Sequence, residues 1–501
     1  MQLPITLDAN SGASLQEQIF VRVVALIRSG RLKAGMQMPA TRQLADDLAV
    51  SRNTVLMAYE RLMSEGFVEM RPPLGTFVSQ LGVGAAMSAM QSASASPGAT
   101  ADESLTPPRM PVQFRGEMHA MHSPLANSLA YDFWVGRPDP RLFPAQTWRK
   151  LIEHAFDSMQ HSEGGYGDAA GLASLRVAIA DHVGASRGVA CAPGDVIVTN
   201  GIQEGLNIVS RLLVTTGTWV GMENPGYLGA ANVFTSYGAA LAPVEVDEHG
   251  AVAGVLPAEC RLMYVTPAHQ YPTGATMTPP RRESWLHWAE QCGGYLIEDD
   301  YDSDFYYDSA PMPALKAADT NGSVIYLGTF SKSLAAGMRM GYLIVPSQLR
   351  SAAVAIKGLM TNGSPWLLQA ALAEFLHGGE FAHHLRRLRK IYASRRDTLC
   401  SSLSDHFGPG GLLGTQAGMH VLWTTPDSMP AASQVEQAAA AVGVGAYALE
   451  SCNAWLHGDP VRARWRRGVL LGYAALSSDE IGMSIARLAA VLSSSATAVN
   501  R

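Results

Sequence analysis

Lys332 is the residue whose setting most invites chemistry. It lies in Thr329-Phe-Ser-Lys-Ser333, between two apolar runs, Val324 to Leu327 and Tyr342 to Val345. A lysine placed so is partly desolvated, which lowers its pKa and frees the amine for imine formation. Arg339 stands seven positions on, and a guanidinium can clamp an anion with two parallel bonds. Thr329 and Ser331 add hydroxyls. An amine beside a phosphate clamp suits pyridoxal 5'-phosphate (PLP). A loop with a solvated lysine and a surface arginine fits the same residues, and this stretch alone does not separate the two. A second stretch favours the first reading. Gly294-Tyr-Leu-Ile leads into Glu298-Asp-Asp-Tyr301, and Asp299 precedes Lys332 by 33 residues. A carboxylate at a strand end can keep a pyridine nitrogen protonated, so that the ring works as an electron sink. Tyr301 can hydrogen-bond the ring's phenolic oxygen.

Taken together, Asp299, Tyr301, Thr329-x-Ser331-Lys332 and Arg339 resemble the fold-type I aminotransferases. The resemblance implies an α/β body that binds PLP and assigns further roles. Tyr166, in Gly165-Tyr-Gly-Asp168, is similar to the tyrosine that crosses a dimer interface to the neighbour's phosphate site; a packing tyrosine fits equally. Tyr227 takes the place of the aromatic that stacks on the pyridine ring. The strand Val196–Thr199 runs through Asn200-Gly-Ile-Gln203 into a helix carrying Leu206, Val209 and Leu213. Any α/β crossover supplies such a turn, but its place among these motifs favours the backbone N–H groups of Gly201, Ile202 and Gln203 cradling a phosphate.

The elements that must position these residues sit in a long chain. At 501 residues, with 47% hydrophobic and 16% charged content, two or more domains with ample core are expected. A net charge of −6 gives no sign of nucleic acid, although a small DNA-binding module can hide in an acidic chain. Cys191, Cys260, Cys292, Cys400 and Cys452 are scattered and odd in number. That argues for a reducing compartment, against a disulfide frame and against a cysteine zinc site; no metal site is expected. No apolar run has the length of a membrane span and no secretory pattern opens the chain, so the cytoplasm is expected.

Residues 1–79 read as a DNA-binding head. Ser14 opens an amphipathic helix through Ile27 that Gly30 ends. Thr41 is expected to cap a second helix, Arg42 to Leu48, and Ser51 a third, stopped by Gly66. Two short strands around Pro72-Pro-Leu-Gly75 form a wing. Three helices and a winged hairpin make a winged helix-turn-helix. The order Arg42-x-Leu-Ala, Val-Ser-Arg-Asn-Thr-Val55 and Gly75-Thr-Phe-Val78 is similar to the GntR family of bacterial regulators. The third helix projects Ser51, Arg52, Asn53 and Thr54 from its N-terminus, where a phosphate is favoured. Arg52 or Asn53 is the candidate base reader. Arg42 is expected on phosphate, with Arg71 and Gly75 of the wing approaching a groove. Residues 1–80 hold eight Lys/Arg against seven Asp/Glu, so the footprint must come from placement. A helical domain for protein contacts is the bland alternative.

Residues 80–128, rich in Ala, Ser, Gly, Met and Pro, read as a flexible tether. Residues 129–501 read as the PLP-binding, dimerising body. His269-Gln-Tyr271-Pro resembles the MocR subgroup of GntR regulators, which fuse a winged head to an aminotransferase body. In aminotransferases an Asn that bonds the ring oxygen stands where Tyr271 stands; His269 fits a packing role as well. Glu380 to Leu399 reads as a helix with Arg386, Arg387, Arg389, Lys390, Arg395 and Arg396, either a solvated face or a phosphate track for DNA. One departure stands out. The arginine with which aminotransferases grip a substrate carboxylate falls on Leu470, and Gly229 stands where some amino-acid-sensing members carry Arg. The resemblance thus implies a PLP-dependent regulator binding a duplex operator with paired half-sites as a homodimer, its heads kept or exchanged between subunits. The effector is PLP itself or an amine or amino acid. A working aminotransferase with a vestigial head is the rival, and a cofactor-free scaffold the third reading.

Overall fold

A computed structural model describes residues 3–8, 11–79, 129–157, 167–254, 256–307 and 312–499. The tether at 80–128 and Tyr166 lie outside the described residues. The chain divides into two compact units, residues 1–112 and 113–501, each taken here by itself.

In the first unit, α1 (Leu15–Arg28), α2 (Thr41–Leu48) and α3 (Arg52–Ser64) precede β1 (Val68–Arg71) and β2 (Gly75–Val78). The two strands pair antiparallel, Arg71 opposite Gly75. Ile19, Val23, Ile27, Leu44, Val55 and Leu62 form its core, the apolar stripe of each helix turned inward. Tyr59, also in that core, donates its hydroxyl to the Pro39 carbonyl at 2.9 Å, tying α3 to the α1–α2 connection. Ser14 and Ser51 cap α1 and α3 through their hydroxyls. The expected cap at Thr41 is displaced: Thr41 is the first helical residue, and Ala40 precedes it with no side-chain bond. The backbone reaches α geometry one residue early, because Ala40 supplies the extended conformation.

The second unit is built on an eight-stranded sheet. The unit's first ten strands, in chain order, are β3 (Tyr131–Asp132), β4 (Val196–Thr199), β5 (Trp219–Asn224), β6 (Gly226–Tyr227), β7 (Ala240–Asp247), β8 (Gly250–Ala251), β9 (Leu262–Val265), β10 (Tyr295–Asp300), β11 (Val324–Thr329) and β12 (Gly341–Ile344), of which all but β3 and β6 belong to this sheet. The large sheet runs β4-β12-β11-β10-β9-β5-β7-β8. It is parallel from β11 to β7, with β12 antiparallel between β11 and β4. Strands covered on both faces read as continuous apolar runs: β4, β9 and β12 are buried at every position. Ile325 and Leu327 of β11 join the core under helices Ile202–Leu213 and Arg350–Thr361. Tyr326 between them joins the opposite core, under Ala173–Arg187 and Trp366–His377.

A smaller sheet follows, made by β13 (Leu412–Leu413), β14 (His420–Thr424), β16 (Tyr447–Ala448) and β18 (Gly468–Gly472), in the order β13-β14-β18-β16. Helices Glu380–Phe407 and Ser478–Val499 cover it through Leu388, Tyr392, Leu399, Ile481 and Ile485. Two short pairings join the layers: β15 (Val444–Gly445) with β3, and β17 (Ala454–Trp455) with β6. The charge-rich helix is longer than expected, and half of its cations are not a solvated face. Arg395 is buried against Asp139 at 2.8 Å. Arg396 donates to the Thr415 carbonyl and Arg389 to that of Asp304. Those three hold the smaller sheet's surroundings together; Arg386, Arg387 and Lys390 are exposed.

Candidate functional site

In open parallel sheets, loops at the carboxyl ends of the strands form the natural crevice. Here they form a cavity of about 240 Å³ lined by Lys332, Asp299, Tyr227, Arg339, Gln203 and His420, among others. The strand ends deliver the site's groups. Asp299 is the penultimate residue of β10, Lys332 lies three residues past β11, and Gly201 follows β4. Tyr227 closes the loop after β5, and His269 and Tyr271 sit in the loop after β9.

Lys332 Nζ donates to the Gly136 carbonyl at 3.0 Å. Burial lowers the pKa of its amine, against the pull of Asp302 and Asp299, and Arg339 lowers it further. Asp299 is 3% exposed. Its Oδ2 accepts the Tyr264 hydroxyl at 2.6 Å, and its Oδ1 has no partner among the described residues. Burial raises its carboxyl to about 7; Tyr264 and Lys332 pull it down, and Asp300 and Asp302 push it up. A buried acid with one unmatched oxygen suits a cationic N–H donor.

The turn after β4 carries the anion-binding geometry. Gly201 has φ +86°, and a Cβ there would sit 2.7 Å from Arg339 Nη2, so only glycine lets the guanidinium approach. Arg339 Nη2 donates to the Asn200 carbonyl at 2.9 Å. Ile202 and Gln203 open the following helix, whose first N–H groups point outward. Supporting residues escape a sequence reading: Glu204 accepts the Asn200 N–H at 2.6 Å and is held by buried Lys357 at 2.7 Å. Their spacing of 153 residues carries no local signal. Thr329 Oγ1 bonds Ser331 Oγ at 3.0 Å and the Met340 carbonyl at 3.2 Å, fixing the loop before Lys332.

On the far side of the cavity, the Tyr227 hydroxyl accepts from Gln203 Nε2 at 3.0 Å, and its ring meets Tyr271 edge-on. Tyr271 is not free to hold a ring oxygen: its hydroxyl donates to the Cys452 carbonyl. A phenol reaches further than the amide it replaces and finds the backbone of another element. Tyr301 is aimed at His269 Nδ1, 3.3 Å away, and that nitrogen also meets Asp302 Oδ2 at 2.9 Å. His420 lies against His269, ring centroids 4.7 Å apart. His269, Asp302 and His420 each offer a donor atom within 4.8 Å of the others. His420 and Asp302 were not distinguished by sequence; His420 comes from the smaller sheet, 88 positions from Lys332, and only folding brings it near.

In the first unit, Arg52 and Asn53 are exposed at the first turn of α3, and Arg42 is exposed on α2. Ser51 Oγ accepts the Thr54 N–H at 3.1 Å and meets the Thr54 hydroxyl at 2.8 Å, so these two side chains are occupied in capping. Arg71 pairs with Glu69 of its own strand, and Gly75 begins β2.

A winged helix-turn-helix followed by an aminotransferase-like α/β body defines a two-module class of protein. Residues 15–78 match the model for bacterial regulatory proteins of the gntR family, and residues 137–456 that for aminotransferase class I and II. The latter is a PLP-binding family. A probable rhizopine catabolism regulatory protein, MocR, of Rhizobium meliloti is 34% identical over 94% of this chain and 92% of its own. The regulator TauR of Rhodobacter capsulatus is 32% identical over 96% of both chains. The pyridoxine biosynthesis regulator PdxR of Corynebacterium glutamicum is 30% identical over 80% of this chain and 82% of its own. An archaeal alanine:glyoxylate aminotransferase structure superposes with TM-score 0.66 at 25% identity, covering 74% of this chain and 92% of that one. The chain belongs to the MocR-type helix-turn-helix transcriptional regulators, whose GntR head is fused to an aminotransferase-like body. No helix among the described residues is long and apolar enough to cross a membrane.

Proposed function

We propose that this chain is a PLP-dependent regulator, in which the body holds the cofactor on Lys332 and an effector bound there changes how paired heads engage an operator. One observation carries the reading: a single cleft gathers a desolvated lysine amine, a buried acid with an unmatched oxygen, and a helix N-terminus beside an arginine. These are the three groups a pyridine aldehyde phosphate requires. Asp299 Oδ1 would hold the ring nitrogen's proton, Gly201 to Gln203 and Arg339 the phosphate, Tyr227 the ring face, and Lys332 the aldehyde carbon. When bound, PLP supplies an electrophilic carbon and an electron sink. The chain's own contribution is to desolvate the amine, keep the acid beside the ring nitrogen and exclude water. The head reads DNA through Arg52 and Asn53, with Arg42, Arg71 and Gly75 against the backbone. An intact hydrophobic core and two capped helices favour a working head over a vestigial one. A homodimer working in the cytoplasm supplies the two heads that paired half-sites need.

Thermodynamically, regulation asks only that the effector favour one head arrangement over another. The test is borohydride reduction of cofactor-loaded protein followed by peptide mapping, beside operator titrations with and without cofactor. A label on the Lys332 peptide and a cofactor-dependent shift in DNA affinity are expected. An unlabelled Lys332 peptide, or DNA affinity indifferent to the cofactor and to every amine tried, overturns the reading.

A further inference from the structure

Behind the phosphate end of the cleft stands a charged pair that the roles above leave unused. Helices Ile202–Leu213 and Arg350–Thr361 share one apolar core through Leu206, Val209 and Ala353, yet they are also joined by a buried ion pair. Lys357 is fully buried. Its ammonium donates to both oxygens of Glu204, at 2.8 and 2.7 Å, and to Ser364 Oγ at 3.0 Å, so all three of its donors are matched. A buried ion pair is a poor source of net stability, because desolvating two charges offsets most of their attraction. Apolar contacts already hold these helices together, so stability does not account for the pair.

Its location does. Glu204 lies in the first turn of its helix, the turn whose N–H groups would face the phosphate. A lone carboxylate there would take the positive end of the helix for itself and repel an arriving anion. Lys357 cancels that charge and leaves the carboxylate a second task. Its Oε2 accepts the Asn200 N–H at 2.6 Å, while the Asn200 carbonyl accepts from Arg339 Nη2 at 2.9 Å. One residue of the turn is thus held from both sides, by Glu204 and by the arginine assigned to the phosphate. The tolerance is small: at Gly201, next in the chain, a Cβ would sit 2.7 Å from the same Nη2. Among the described residues, the cavity is lined by Ile202, Gln203 and Arg339 but not by Glu204 or Lys357, so the pair reaches a ligand only through the turn.

We propose that Lys357 and Glu204 are positioning residues through which the body prefers the phosphorylated to the unphosphorylated form of its pyridine aldehyde. The pair holds the turn at 200–203 where the helix N-terminus and Arg339 converge on one anion. This rests on the cofactor reading above and deepens it.

The experiment titrates cofactor-free, full-length protein with PLP and with pyridoxal, which lacks the phosphate. Both affinities are read from the visible absorbance band, with Tm as the check on folding. Their ratio is the measure, since general damage to the fold weakens both ligands alike. Lys357→Met leaves the carboxylate uncompensated; it should lower the preference for PLP roughly tenfold or more, with pyridoxal changed by less than about threefold. Two charge-neutral double variants separate position from charge, and they decide the matter if Lys357→Met alone does not fold. Lys357→Met with Glu204→Gln keeps an acceptor for the Asn200 N–H and should restore most of the preference. Lys357→Met with Glu204→Ala loses that acceptor and should leave the preference roughly tenfold below wild type. A wild-type ratio in the Ala double variant, a Gln double variant no better than the Ala one, or parallel weakening of both ligands overturns the inference and leaves the Lys332 reading standing. So does wild-type protein that binds the two ligands equally. Wild-type protein that takes up neither overturns both.

Discussion

The head and the body place their working residues in opposite ways. Arg42, Arg52 and Asn53 stand exposed on helices whose stability comes from a separate apolar core. Lys332, Asp299 and His420 are enclosed in the body, where the same burial that tunes them also works against the fold. A surface reader can be altered without disturbing its domain. A buried site is held in place by other residues, such as the Lys357–Glu204 pair behind the Gly201 turn.

The largest effect expected from this contrast is at Lys332. Lys332→Ala should abolish covalent retention of cofactor after borohydride treatment, seen by intact mass, and leave operator binding by the cofactor-free protein as in wild type. A loss of DNA binding in the cofactor-free state would break the division between the modules. Next comes Asp299. Its carboxyl is raised to about 7 in the cofactor-free body, so between pH 4 and 7 the folded state binds more protons than the unfolded chain. Stability contributed by this group is therefore lost as pH rises through that window, by ~4 kcal/mol at most from the size of the shift. Asp299→Asn should flatten that pH dependence of Tm and weaken cofactor binding about 100-fold. A cofactor affinity unchanged in this variant would remove the acid from the site.

In the head, Arg52→Ala should weaken specific operator binding by ~1–3 kcal/mol without moving the visible spectrum of the body. A mutant that binds like wild type in an anisotropy titration would transfer the reading to Asn53 or the wing. The smallest effect belongs to Ser51, whose hydroxyl caps α3. Ser51→Ala should cost about 1 kcal/mol of head stability, and Ser51→Asp should recover it, both measured by denaturant unfolding. Equal stabilities across the three would mean that the cap contributes nothing net.

Local chemistry was legible in the chain itself. Lysine between apolar runs, the acid 33 residues earlier, the glycine turn before a helix and the serine caps each sit within one element or its loop. Periodicity and capping are short-range, so the three helices and the wing of the head could be read directly. What distance in sequence concealed was decided by the fold. The charge run on Glu380–Phe407 reads as one surface, yet Arg395 and Arg396 turn inward because Asp139 and the Thr415 carbonyl wait there. Tyr271 looked available to a ligand until Cys452, 181 residues away, took its hydroxyl. His420 carries no motif; it became part of the cleft only when β14 settled against β18 and the smaller sheet closed one wall. Residue types set which chemistry the chain can offer, and long-range pairing set which of those groups face one another and which atoms are left open.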